Sequence, residues 1–448
     1  KYVNLDNLIA KKSQFANFLL DIAVESLSFA NMLNWCLCVE LEVASLYYNP
    51  ATLAGNQKLP HKVQNAMSIY QNFRRFLMET LHDKNPGLHD LFIRQQGLVD
   101  ELQKIGYDLK NVNDPEVSTR HQKIGKLRQI IKSKQPRWNE IFSAQGIYLP
   151  LNTDKVVYGF VSGSASIFKS AQEPLRLPFQ EIPQHVQLVD DPYYVMFKRG
   201  DDLRQDQLVL RIFEFMEKIT RHNGLDLRMS PFYKVTPTGL EHGMIELVPH
   251  CYTIASVLEK YGTLEQFFLK NAAENNHPLE VIMANYSKSL AGYSIFTYLL
   301  GIGDRHLDNI LITSDGRLFH IDYGFILGKD PKPMPPPMRI TSEMLDGLGP
   351  SQSQHYVAFQ MLCCQSFKIL RKHANIILMM LYCMLDAHCQ SIMDDPGCIK
   401  RVVERNFRLD LTADQADSFI LETVDAASKM LIPRITEQFH KIAQSWRD

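Results

Sequence analysis

No stretch of this sequence reaches the roughly 20 consecutive apolar residues of a bilayer-spanning helix, and none reads as a secretory signal. The longest apolar run, Ile376 to Leu385, has the length of a core helix. Cysteine is sparse: Cys36, Cys38, Cys251, Cys363, Cys364, Cys383, Cys389 and Cys398 form no CxxC pair and no Cys/His set at zinc-ligand spacing. That excludes a zinc module and a disulfide framework, and buried reduced thiols of a cytosolic protein are expected. Excess charge is missing too. Lys and Arg number 48 against 49 Asp and Glu, a net −1, so no global field draws in nucleic acid. Attraction to an anionic surface would have to come from local patches.

The sequence does hold enough apolar material, 45% of 448 residues, for the cores of two or three compact units. The chain opens at Lys1 without a methionine and already in a helical pattern, as a fragment of a longer protein would. Residues 1–140 read as helices joined by polar loops: Phe15, Phe18, Leu19, Ile22 and Ala23 recur at helical spacing, as do Ile69, Phe73, Phe76 and Leu77. Pro86-Gly87 and Asn113-Asp114-Pro115 punctuate them, and a helical scaffold is expected. From about 150 short β-rich stretches appear, at 155–161, 186–189, 193–198 and 243–248, around one long helical pattern at 201–222. From about 252 the chain reads as mainly helical. The class is therefore α+β.

The stretch richest in chemistry runs from Gly303 to Gly324. Ile310 to Thr313 and Leu318 to Ile321 are short apolar strands separated by the turn signal Ser314-Asp315-Gly316, which predicts a hairpin. Its far end should bring Asn309 and Asp322 together, and two oxygen ligands there suit a hard divalent cation bound to phosphate. Asp304 precedes Asn309 by five residues, the interval between the catalytic-loop Asp and Asn of a protein kinase, and Asp322-Tyr323-Gly324 takes the place of that enzyme's D-F-G. His306 adds a group able to accept a proton or meet a developing phosphoryl charge. The alternative is a structural hairpin that merely carries charged residues. Crowding two carboxylates, a histidine and an amide beside an apolar hairpin is costly without a ligand to organise them.

Three further elements agree with a nucleotide site. Tyr193 to Lys198 is a strand whose end places an ammonium where ATP phosphates need a cation, and Asp206, two turns into the following helix, could orient it. A glycine-rich loop is absent: Val161 to Ser170 holds a single glycine, but Ser164, Ser166 and their backbone N–H groups can cover phosphates. Ile245-Glu246-Leu247-Val248-Pro249 reads as a hinge offering the Glu246 carbonyl and Val248 N–H to adenine, with Leu247 against the ring.

In Gly200-Asp201-Asp202-Leu203-Arg204-Gln205-Asp206, Gly303-Asp304-Arg305-His306-Leu307-Asp308-Asn309 and His320-Ile321-Asp322-Tyr323-Gly324 the sequence resembles the phosphatidylinositol 3-kinase family over residues 155–448. Residues 1–140 more loosely resemble the family's helical domain. The run from Phe325 to Met338 is most similar to the class III catalytic subunit, which makes phosphatidylinositol 3-phosphate for endosomal trafficking and autophagy. The resemblance implies a bilobal, protein-kinase-like catalytic domain after a helical solenoid-type domain: 1–140 helical, 141–248 a β-rich N-lobe, 249–448 a mainly α C-lobe. Within that C-lobe it places a catalytic loop at 303–309 and an activation loop at 322–341.

It implies ATP and Mg²⁺ or Mn²⁺ as cofactors, with Lys198 on the phosphates and Asp206 in support. Asp304 and His306 are then catalytic and Asn309 and Asp322 bind metal, while Phe168, Tyr233, Leu311 and Ile321 line the nucleotide pocket. Tyr323 stands where the family has Phe, which should alter packing and not metal binding. A protein-kinase-like regulatory subunit and a Beclin-type subunit are the implied partners, with a peripheral location on endosomal and autophagic membranes.

The substrate loop holds Lys329, Lys332 and Arg339 among five prolines, at 331, 333, 335, 336 and 337. That modest positive charge suits singly charged phosphatidylinositol better than its bisphosphate. Residues 432–447 read as an amphipathic helix whose apolar stripe includes Ile435, Phe439, Ile442 and Trp446. Packing on the core and lying in a membrane interface are both open to it. Rival readings are a serine/threonine kinase of the related group, a phosphatidylinositol 4-kinase, and a catalytically inactive helical scaffold.

Overall fold

The computed structural model describes residues 13–47, 61–111, 119–181, 191–275, 277–331, 336, 338–383, 395 and 397–429. These form two compact units, Lys1–Gln207 with Tyr233–Val248 and Leu208–Phe232 with Pro249–Asp448.

The first unit begins with helices α1 (Gln14–Glu25), α2 (Leu27–Tyr47), α3 (His61–Lys84), α4 (Pro86–Lys110), α5 (Arg120–Ser133) and α6 (Gln135–Phe142). Their starts are written in the sequence. Ser13 accepts the Ala16 N–H, Asn85 accepts that of Leu88 just ahead of Pro86, and Thr119 and Gln122 form a reciprocal capping box. The expected stripe on α3 is buried, Ile69, Phe73, Phe76 and Leu77 alike. The stripe on α1 is shifted: Ala16, Leu20 and Ala23 face inward, and Phe15 and Phe18 are more than half exposed. Spacing fixed the helix but not which of two neighbouring apolar faces would be covered.

A two-stranded ribbon follows, β1 (Ile147–Leu149) with β2 (Asn152–Val157), then a five-stranded antiparallel sheet. The sheet contains β3 (Ser166–Ile167), β4 (Leu175–Phe179), β5 (Tyr193–Arg199), β6 (Val235–Gly239) and β7 (His242–Glu246), in the order β3-β4-β5-β7-β6. The expected strand at 186–189 lies outside the described residues. Helices and sheet share one core, in which Trp35, Phe92, Trp138, Phe142, Phe179 and Phe197 are all buried. A paired amide network fixes the join. Gln95 accepts from Trp35 Nε1 (3.0 Å) and donates to Asn31 Oδ1 (3.1 Å) and the Tyr148 carbonyl (2.8 Å). Asn31 donates on to the Pro150 carbonyl (2.8 Å). Being fully satisfied, this buried network specifies one docking of α2 and α4 on the ribbon.

Helix α7 (Arg204–His222) carries the chain from the first unit into the second, the division falling after Gln207. The second unit holds β8 (Cys251–Thr253), α8 (Ile254–Tyr261), α9 (Leu264–Asn275), α10 (Leu279–Leu299), β9 (Ile310–Thr313), β10 (Leu318–His320), α11 (Ser342–Asp346), α12 (Gln354–Lys372), α13 (Ala374–Tyr382), α14 (Cys398–Val402) and α15 (Ala413–Lys429). From Tyr286 onward α10 is buried nearly all round, the pattern of a central helix. The hydroxyls of Ser287, Ser289 and Thr297 are satisfied within the helix, as where Thr297 Oγ1 donates to the Tyr293 carbonyl (2.6 Å). Ser289 Oγ also accepts the Leu318 N–H (2.9 Å), which ties α10 to β10.

The apolar run of α13 is only partly core, since Ile376, Met379 and Tyr382 are exposed. Of the cysteines, Cys363 and Cys398 are buried as expected, whereas Cys36 and Cys383 are exposed; all the described ones are free thiols.

Candidate functional site

The hairpin is present as read. β9 and β10 pair antiparallel with Leu318 opposite Ile312, Phe319 opposite Leu311 and His320 opposite Ile310. Gly316 closes the turn at φ +89°, and a Cβ there would sit 2.3 Å from the Ile282 carbonyl oxygen, so no other residue fits. The ladder runs one rung further, the Ile321 N–H donating to the Asn309 carbonyl at 3.0 Å. Asn309 and Asp322 therefore leave the same end of the hairpin. Opposite residues share a face, so Asn309, Leu311, Phe319 and Ile321 lie on one side, and Ile310, Ile312 and His320 on the buried other.

The loop from Gly303 to Asn309 is held in an unusual conformation. Asp304 has φ +47° and Asp322 φ +60°, left-handed values that few non-glycine residues take. Asn309 Nδ2 donates to the Asp304 carbonyl at 3.2 Å, which leaves its Oδ1 as the atom suited to a cation. Arg305, almost fully buried, donates to the Gly303 carbonyl (2.9 Å), the Ile321 carbonyl (2.6 Å) and the Asp322 carbonyl. One guanidinium thus fixes the Asp304 loop to the backbone at Asp322.

On its other side the same loop is stapled to the segment after Gly324. Leu327 N–H donates to Leu300 O (2.9 Å), Gly328 N–H to Gly301 O (2.9 Å) and Gly303 N–H to Phe325 O (2.8 Å). A Cβ on Gly303 would lie 2.2 Å from the Lys329 carbonyl oxygen. Asp330 Oδ2 accepts the Asp304 N–H at 2.9 Å and forms an ion pair with Arg339.

His306 is largely buried, with Nδ1 3.9 Å from Asp308 Oδ2. His320 stacks on Tyr293 with ring centroids 5.1 Å apart, and burial, aided by Arg305, pushes its pKa well below the usual imidazole range. The Tyr323 hydroxyl, the departure from Phe, donates to the His320 carbonyl at 2.8 Å.

In the first unit, Lys198 on β5 pairs with Asp201 at 2.8 Å. Asp206 lies in the first turn of α7, not two turns in as expected, because the helix starts at Arg204 after the Asp202 carboxylate takes the Arg204 N–H (3.0 Å). Ser164 closes a short 3₁₀ turn, Ser166 opens β3, and the Phe168 N–H donates to the Pro174 carbonyl (2.9 Å).

Helix α5 holds this loop: Arg128 Nε donates to the Ala165 carbonyl (2.9 Å), Arg120 Nε to the Ile167 carbonyl (2.8 Å), and Lys123 pairs with Glu173 (2.7 Å). β3 is an edge strand, and the arginines cap its outward carbonyls. Tyr233 is buried just before β6. In the segment expected as a hinge, the Glu246 carboxylate accepts from the Tyr193 hydroxyl (2.9 Å) and the Lys234 N–H (3.0 Å), and the Leu247 N–H donates to the Tyr194 carbonyl (3.1 Å). Glu246 O and Val248 N–H are the pair proposed for adenine.

Of the expected substrate-loop cations, Lys329 lines a cavity of about 1040 Å³ beside Gly303, while Lys332 lies outside the described residues. Arg339 is turned inward onto Asp330, because a buried carboxylate needs its charge matched. Ile435, Phe439, Ile442 and Trp446 also fall outside the described residues. Reading the sequence missed Arg305 and Asp330. Within the run Gly303 to Asn309, Arg305 passes for a spacer between Asp304 and His306, and Asp330 passes for a solvated loop charge.

Residues 192–392 match the family model described as phosphatidylinositol 3- and 4-kinase. Over 446 residues the chain is 35% identical to phosphatidylinositol 3-kinase VPS34 of Arabidopsis thaliana, covering 97% of this chain and 51% of that protein. It is 35% identical over 326 residues to phosphatidylinositol 3-kinase VPS34 of Saccharomyces cerevisiae (72% and 36%). It is 31% identical over 449 residues to phosphatidylinositol 3-kinase catalytic subunit type 3 of Caenorhabditis elegans (97% and 47%). The chain spans about half the length, or less, of these relatives.

Proposed function

We infer the function from one premise: through residues 192–392 this chain belongs to the phosphatidylinositol 3- and 4-kinase family. On that premise it is an ATP-dependent lipid kinase that transfers the γ-phosphate to the 3-hydroxyl of phosphatidylinositol. The observation that carries the reading is the rung between Ile321 and Asn309, which starts Asn309 and Asp322 from one end of the hairpin while Asn309 holds Asp304.

The donor set fits a divalent cation. Among the described residues no three His, Cys, Asp or Glu side chains gather to hold a metal alone. One amide oxygen and one carboxylate are what Mg²⁺ or Mn²⁺ takes when phosphates complete its shell. Asn309 and Asp322 would hold it, and when bound it supplies positive charge to the triphosphate. In the first unit, Lys198 and the N–H groups and hydroxyls around Ser164 and Ser166 are the groups suited to nucleotide phosphates. The inositol 3-hydroxyl attacks the γ-phosphorus, its proton passing to Asp304 or His306, and the bond to the ADP oxygen breaks. A static loop suits this chemistry, since positioning and charge supply nearly all of the catalysis in phosphoryl transfer.

Substrate charge follows from the same loop. With Arg339 engaged by Asp330, one of the three cations read in this loop is spent inside the fold and not on headgroup phosphates. That favours an unphosphorylated inositol ring. No described helix is long and apolar enough to cross a membrane. For reaching lipid, the candidate segment is the apolar stripe read at Ile435, Phe439, Ile442 and Trp446. Endosomal and autophagic membranes, with a protein-kinase-like regulatory subunit and a Beclin-type subunit, complete the reading; co-purification of those subunits checks it.

Headgroup chromatography after incubation with ATP and vesicles tests the activity. Phosphatidylinositol 3-phosphate is the expected product. Preference for the bisphosphate, label at the 4-position, or label on protein alone would overturn it.

A further inference from the structure

The segment after Gly324 contains a device that the reaction scheme above does not use. Asp330 and Arg339 are nine residues apart and both nearly buried, with side chains 4% and 10% exposed. They join the two ends of the proline-rich segment. Asp330 also spends one carboxylate oxygen on the backbone N–H of Asp304, at 2.9 Å. Asp304 is held at φ +47°, where an ordinary residue does not rest without support. The preceding Gly303 lies under the same carboxylate: a Cβ on it would come within 2.9 Å of Asp330 Oδ2.

We propose that Asp330 and Arg339 are positioning residues for Asp304, the buried ion pair aiming a carboxylate oxygen at the Asp304 N–H and so holding its left-handed turn. The proposal rests on Asp304 being the group that acts on the inositol hydroxyl. It also changes what Arg339 is for. Counted along the sequence it is one more substrate-loop cation, whereas in the fold its charge is consumed in keeping a buried carboxylate ionised and aimed. An unpaired buried carboxylate would shed its charge by taking up a proton, or swing toward water. Protonated, it accepts the Asp304 N–H more weakly, and swung toward water it leaves that N–H without its acceptor. The ion pair therefore couples the far end of the 330–339 segment to the catalytic loop, so that displacing Arg339 would release the turn at Asp304.

Two double variants separate positioning from packing. In Asp330→Leu with Arg339→Met both charges are replaced by apolar groups of similar volume, an exchange that buried ion pairs often tolerate without loss of stability. In Asp330→Asn with Arg339→Met the charges are also gone, but an amide oxygen remains to accept the Asp304 N–H. The asparagine form is expected to turn over at least tenfold faster than the leucine form. The leucine form should fall about 100-fold below wild type in kcat, as a misplacement of about an ångström does. KM for ATP and the melting temperature should agree between the two forms within twofold and about 3 °C.

Equal kcat values for the two variants would overturn the proposal. Should the leucine form fail to fold, amide hydrogen exchange on the wild-type chain decides. The Asp304 N–H should exchange at least 100-fold slower than in an unprotected chain, and unprotected exchange would overturn the assignment. Turnover is read both as lipid product and as ATP hydrolysis without lipid. If the wild type makes no lipid product, the substrate reading fails, and the ratio between the variants still tests the positioning by ATP hydrolysis.

Discussion

The two units hold their site loops by different means. In the first, the serine loop is gripped from outside: Arg120 and Arg128 reach from α5 to the Ile167 and Ala165 carbonyls, and Lys123 reaches Glu173. In the second, the loop at 301–305 rests on backbone contacts with no slack, where Gly301 and Gly303 let two chain segments touch. Side-chain clamps yield one at a time, so the first loop should weaken in steps. Glycine staples leave no room for an added atom, so the second should fail at once. That contrast suits the proposed tasks. A cover over phosphates must admit and release nucleotide, whereas a loop that aims an attacking oxygen gains nothing from motion.

The severest break in the comparison is Gly303→Ala. Its Cβ would meet a backbone oxygen, and so cannot be relieved by a side-chain movement. Activity should fall by more than about 100-fold, and a thermal scan should show the melting temperature lowered. Wild-type turnover would show the staple to be unnecessary. Next comes Arg305→Met, which strips hydrogen-bond donors from the carbonyls of Gly303, Ile321 and Asp322. Bonds from a charged donor contribute about 1.5–3 kcal/mol each. A large loss of kcat is expected, with a clear drop in the denaturant midpoint.

On the first unit's side, Arg128→Ala should act more gently. The Ala165 carbonyl loses its donor while Arg120 and Lys123 still hold the loop, and KM for ATP should rise about tenfold, in line with one bond from a charged donor at ~1.5 kcal/mol, with kcat little changed. Adding Arg120→Ala should raise it further. A collapse of kcat in the single variant would erase the distinction between the loops.

The smallest effect concerns Glu42, whose carboxylate accepts the Leu240 N–H at 2.7 Å and lies 3.7 Å from His242 Nε2. Burial alone would raise its pKa, but those hydrogen bonds prevail and hold it below the usual carboxylate value. A depressed folded pKa gives stability that is present above the unfolded pKa and lost as pH falls through the folded one. Glu42→Gln should therefore cost less than ~1 kcal/mol at neutral pH, because the group is about half exposed. The difference should vanish in acid, as denaturant titrations at both pH values would show.

Much of this was legible beforehand. The hairpin and its partners announced themselves because turn chemistry and alternating apolar residues are local signals. The strand β6 was not seen, since Pro237 breaks its pattern; it survives because β6 is an edge strand, where a missing N–H costs no ladder bond. The docking of α2 and α4 on the β1–β2 ribbon was invisible because it depends on Gln95 and Asn31 finding acceptors in residues 148 and 150. Long-range pairing has no period. Counting charges misled at Arg339, and Asp330 went unnoticed, for one reason: a sequence shows that opposite charges exist, but not that folding buries them together.

The central claim is that Asn309 and Asp322 share a divalent cation on the nucleotide's phosphates. Electron paramagnetic resonance of Mn²⁺ titrated into the chain tests it most directly. The account predicts tight binding of Mn²⁺ only when ATP is present, abolished by Asp322→Asn together with Asn309→Ala. Undiminished nucleotide-dependent Mn²⁺ binding by that double variant would contradict it.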